Sequence, residues 1–186
     1  MAEAAAARVA LEARDPLDGF AVEGDGVRVT SLGPRSIVSI AFGHDDRGTR
    51  EAVERGLGIV LPEVGRSASS AFGGGSTLLG LQRDQWFALM ASAGETVSDG
   101  AAVTDQGDAW APFALEGPRA AAALERTCRL DLHPNAFPVG GVARTSMEHL
   151  ATMILRETIE RFVLLSPRSS AESFAHAVAT SVRNVS

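Results

Sequence analysis

The sequence predicts an α+β fold: two duplicated β-α-β-β units form antiparallel sheets, with helices packed on one face and a pseudo-twofold axis relating the units. Three observations predict it. The stretch REAVERGLGIVLP at 50–62 is echoed later in the chain, with Val53-Glu54-Arg55 over Leu124-Glu125-Arg126 and Ile59 and Leu61 over Leu130 and Leu132, at a spacing of 71 positions (124 − 53). A second echo lays TLLGLQRDQWFALM over TMILRETIERFVLL, with Phe87 on Phe162 and Leu89 on Leu164, at a spacing of 75 (162 − 87). The order of elements is the same in both halves, and two such units bury their apolar faces as sheets covered by helices.

The elements follow in order. Residues 1–34 are expected to form an extended N-terminal arm, because Asp15-Pro16, Gly19, Gly24, Gly26 and Gly33-Pro34 break the chain repeatedly. The arm's scattered Leu11, Leu17, Phe20 and Val22 bury too little alone to offset their ordering entropy, so they drape over the domain or lie on a partner. The remainder, 35–186, reads as a single α+β domain with repeats at about 35–91 and 103–183.

In the first repeat, RSIVSIAF at 35–42 alternates as a strand, and Asp46 is placed to cap a helix running from 47 to about 56. After Pro62 comes a passage of small residues, then two apolar strands at 76–81 and 86–91 joined by the polar turn Gln82-Arg83-Asp84-Gln85. The polar, glycine-bearing stretch 92–102 is the connector between halves. The second repeat opens with a strand at 109–115 and a helix entered through Gly117-Pro118, where proline loses only an N–H that would be orphaned anyway. An alanine run carries that helix, Ala121, Leu124 and Cys128 form its inner stripe, and Pro134 forbids its return. Strands at 140–146, 151–156 and 162–166 follow. Ser169 or Ser170 caps a last helix, whose stripe is Phe174, Ala177, Val178 and Val182.

Composition narrows the function. The chain has 186 residues, 45% of them apolar and 22% charged, with a formal charge of −6, which is ordinary for a globular domain and argues against nucleic acid as a partner. All 17 basic residues are arginine, so no lysine can form a Schiff base. Cys128 is the sole cysteine, which excludes an intrachain disulfide and any cysteine cluster for zinc or iron-sulfur, and it reads as a small buried hydrophobe. The N-terminus lacks the basic start and long apolar core of a signal peptide, and no run approaches ~20 apolar residues, so no membrane partner is expected and the compartment is the cytoplasm.

Catalytic constellations are not expected. Gly73-Gly74-Gly75-Ser76 resembles a phosphate-binding loop only superficially, since a strand follows it and the chain has no lysine. His44, His133, His149 and His176 show no i, i+4 metal spacing, and His133 beside Asp131 reads as a surface pair. No serine sits in a nucleophile elbow, and no carboxylate pair is flanked by apolar residues. No catalytic, cofactor-binding or metal-binding residue is therefore expected in this chain. Phe137, between Pro134 and Pro138, is either tucked beneath its loop or offered to a partner. The candidate interface consists of Leu11, Leu17, Phe20, His133, Asn135 and Phe137.

At ERTCRLDLHPNAFPVGGVARTSM, and on through RFVLLSPRSSAESFAHAV, the chain resembles the gamma subunit of heterotetrameric sarcosine oxidase. Leu124-Glu125, Cys128, Leu130 to Pro134 and Phe137 carry the likeness, which spans roughly 35–183, while the arm matches nothing. That family is similar in fold to the folate-binding domain of aminomethyltransferase-like proteins. The resemblance implies a complex that oxidatively demethylates sarcosine, or a related N-methyl amino acid, to glycine, formaldehyde captured on tetrahydrofolate, and hydrogen peroxide. It further implies alpha, beta and delta subunits as partners, with FAD, FMN, NAD and tetrahydrofolate held in those other subunits and this chain structural. The alternative is a stand-alone folate-binding protein of the aminomethyltransferase-like superfamily. Against it, the assembly factors of that group carry a Lys-Gly-Cys signature that is missing here, and the transferases are much longer.

Overall fold

The computed structural model describes residues 14–69, 75–90 and 100–185. Asp25-Gly26 turns the end of the expected arm into a hairpin of β1 (Ala21–Gly24) and β2 (Val27–Ser31). The first repeat then runs β3 (Ser36–Ala41), α1 (Arg47–Leu57), β4 (Ser67–Ser69), β5 (Thr77–Gln82) and β6 (Gln85–Met90). After β7 (Ala102–Asp105), the second repeat runs β8 (Trp110–Glu116), α2 (Ala120–Glu125), β9 (Val142–Met147), β10 (Leu150–Thr158) and β11 (Arg161–Pro167). A 3₁₀ turn leads into α3 (Ala171–Asn184).

The strands form two antiparallel sheets. One has the order β1-β2-β8-β11-β10-β9 and the other β4-β5-β6-β3-β7. Each repeat thus contributes the same four-strand order, with β3-β6-β5-β4 matched by β8-β11-β10-β9. The inner faces meet in a shared core of Ile37, Leu79 and Phe87 from one sheet with Val142, Met153, Leu155, Val163 and Leu165 from the other. On the outer faces, Val53 of α1 packs with Ile40, Leu78 and Trp86, while Leu124 of α2 and Phe174, Val178 and Val182 of α3 pack with Phe113, Phe162 and Leu164.

The boundary expected at residue 34 falls inside this structure. β2 pairs with β8 and β7 with β3, so each repeat's lead-in strand lies on the other repeat's sheet. The two exchanged strands are equivalent. Val29-Thr30 stands against Leu115-Ala114 as Val103-Thr104 stands against Ile40-Ser39, and Leu32 N–H donates to Pro112 O (3.0 Å) as Gln106 N–H donates to Ile37 O (2.7 Å). The duplication therefore begins at β2 and β7, one strand earlier than the sequence echo shows. Residues 21–31, expected in an extended arm, instead form strands of the domain's own sheet.

Local chemistry fixes the helix ends. Asp46 caps α1 by accepting the Thr49 amide (2.9 Å) and hydroxyl (2.6 Å), and Gly58 closes it in the left-handed region at φ 63°. α2 is shorter than predicted. The Leu124 carbonyl in its last turn accepts both the Thr127 and Cys128 amides, and Cys128 then bridges to Met147. Cys128 is buried as expected.

The hairpin echo slips by one residue. Gly80 opposes Trp86 just as Arg156 opposes Phe162, with a bulge following each, so Trp86 is the counterpart of Phe162 and Phe87 that of Val163. Phe87 and Val163 both face the shared core, whereas Trp86 and Phe162 both face the helices. A one-residue shift exchanges the faces of a strand, so aligning Phe87 with Phe162 turns the hairpin inside out.

Candidate docking surface

Loop 133–141 is built from its own backbone outward. Asp131 Oδ1 accepts the His133 amide (2.9 Å), His133 Nδ1 accepts the Asn135 amide (3.3 Å), and His133 O accepts both the Ala136 and Phe137 amides (2.9 Å each). These local bonds wind 133–137 into a tight turn whose outer residues His133, Pro134, Asn135 and Ala136 are exposed. Gly141 then lets the chain close under the turn, because a Cβ there would meet Pro138 O at 2.7 Å and the Phe137 ring at 3.3 Å.

The loop is braced from below. Arg156 is 1% exposed, its Nη1 donates to Phe137 O at 2.7 Å, and its guanidinium lies 4.6 Å from the centre of the Phe162 ring. Burial lowers its pKa from the usual arginine value, and its Nε has no partner among the described residues. No ion pair reaches it among the described residues. Sequence reading passed over Arg156, since a lone arginine in an arginine-rich chain carries no weight; the visible signal was the spacing, which grows from 71 to 75 across this loop.

The candidate interface residues separate. His133 and Asn135 are exposed at the turn. Phe20 keeps part of its ring open in a groove with Pro16, Val22, Ala175 and Ala179. Leu17, 2% exposed, and Phe137, 8% exposed, lie in the chain's own core instead, which removes both as docking anchors. Leu17 turns inward because Asp15 Oδ1 takes its amide (3.0 Å) and Leu17 O takes that of Phe20 (3.0 Å), folding the apolar side chain onto the α3 layer. Phe137 turns inward because its turn rests on the sheet through Arg156 and Gly141. Leu11 lies outside the described residues. Val139, 48% exposed beside the turn, is an apolar surface residue the sequence reading did not single out.

No three His, Cys, Asp or Glu side chains come together as metal ligands among the described residues. Burial pushes the Cys128 thiol up, away from the thiolate form a nucleophile needs. His44 pairs with Asp84 (2.9 Å) on the surface. Of Gly73-Gly74-Gly75-Ser76, the first two residues lie outside the described residues, and Ser76 leads into β5. No helix of the described residues is long and apolar enough to cross a membrane.

No protein-family profile matches the chain, and no curated protein matches it. Solved structures do. The chain is similar to a chain of the heterotetrameric sarcosine oxidase from Corynebacterium sp. U-96, solved in complex with pyrrole 2-carboxylate, at TM-score 0.76 and 22% identity over 89% of both chains. It is also similar to the glycine cleavage system aminomethyltransferase T from Bartonella henselae, at TM-score 0.58 and 13% identity, over 82% of this chain and 45% of that one. The fold is therefore the aminomethyltransferase-like α+β fold with two antiparallel sheets, and this chain spans less than half of the transferase.

Proposed function

We propose that this chain is the small, gamma-type subunit of a heterotetrameric sarcosine oxidase complex, a structural part of an assembly whose chemistry resides in its alpha, beta and delta subunits. The observation that carries the reading is the likeness over 89% of both chains to a chain of such an oxidase. The transferase likeness, by contrast, leaves more than half of that enzyme unmatched. The complex would oxidise the C–N bond of sarcosine or a related N-methyl amino acid, passing two electrons to flavin and then to oxygen as hydrogen peroxide. The one-carbon fragment would leave as formaldehyde or on tetrahydrofolate. FAD, FMN, NAD and tetrahydrofolate would be held by the partners in the cytoplasm, and this chain's own residues would supply surface and rigidity.

The test is co-expression with the alpha, beta and delta subunits of a heterotetrameric sarcosine oxidase. Sarcosine-dependent peroxide release by the purified assembly, lost when this chain is omitted, supports the subunit reading. Equal release without the chain, or tight tetrahydrofolate binding by the chain alone, contradicts it and favours the stand-alone folate protein.

A further inference from the structure

We draw no further inference here: the strongest candidate, the outer edge of β7, which is exposed along its whole length and which no described strand covers as β1 covers its counterpart β2, carries nothing because nothing in the structure shows what covers it.

Discussion

Arg66 and Gly141 pair with each other, although the chain places them 75 positions apart (141 − 66) and they are equivalent residues of the two repeats. The bonds around them are related in the same way: Ser67 N–H donates to Gly140 O (2.8 Å) and Val142 N–H to Gly65 O (3.1 Å). A residue can meet its own counterpart only on a twofold axis, so this contact locates the axis and ties the edge strands β4 and β9 of the two sheets together. Departures from the symmetry, Gly80 against Arg156 above all, then stand out as asymmetric features of the second repeat.

Gly80→Ala tests how closely the first repeat's loop lies on its sheet. The new Cβ would press on backbone oxygens, Glu63 O at 2.3 Å and Pro62 O at 3.0 Å, and would disturb the Trp86 Nε1–H bond to Pro62 O (2.9 Å). We expect a loss of ~1 to 3 kcal/mol in denaturant unfolding. Unchanged stability would show that the loop stands off the sheet.

Phe137→Ala distinguishes a core residue from a docking anchor. With the ring in the core beside Leu132 and Leu124, the isolated chain should lose ~3 to 5 kcal/mol. An unaffected isolated chain with a weakened complex would return Phe137 to the interface.

Cys128→Ser should cost ~1 to 3 kcal/mol through a buried hydroxyl, with turnover of the assembled complex nearly intact. Because burial raises the thiol's pKa, the folded chain should react slowly with thiol reagents and the denatured chain quickly. Abolished turnover in a folded complex would make the thiol chemical.

The Asp46 cap has a pH signature. The Thr49 hydroxyl first, and its amide second, hold the Asp46 carboxyl below the ordinary aspartate range. Its contribution is therefore present above the unfolded value of ~3.9 and is lost as pH falls through the depressed folded value. Asp46→Ala should lower the melting temperature at neutral pH, and the gap from the unaltered chain should narrow as acid is added. A gap independent of pH would exclude the charged cap as its cause.

Much of this architecture was legible in the sequence, and the exceptions have physical causes. The Asp46 cap of α1 and both hairpins are local patterns and stand close to where the sequence places them, and of the expected α3 stripe Phe174, Val178 and Val182 are buried while Ala177 is half-buried and Ala175 lies in the core instead. β2 was missed although Asp25-Gly26 is a local hairpin signal, because the glycines and proline around it were read as breaks in an arm, and β7 was missed because it pairs with the other repeat's sheet, is exposed along its whole length and shows no alternation. The hairpin slip arose because runs such as Phe162-Val163-Leu164-Leu165 are buried on both faces, which erases the period that would fix the register. Of the docking surface, the exposed His133 and Asn135 were readable from their loop. The inward turn of Leu17 and Phe137 depends on hydrogen bonds that adjacent residues alone do not specify.

The central claim, that this chain is one structural subunit of a larger oxidase, is met most directly by the native mass and composition of what it forms when co-expressed with its alpha, beta and delta subunits. The account requires a single species with one copy of each chain, its flavin lost when the larger subunits are stripped away and none retained by this one. A chain that elutes alone, at its own mass, beside an assembled and active oxidase would contradict it.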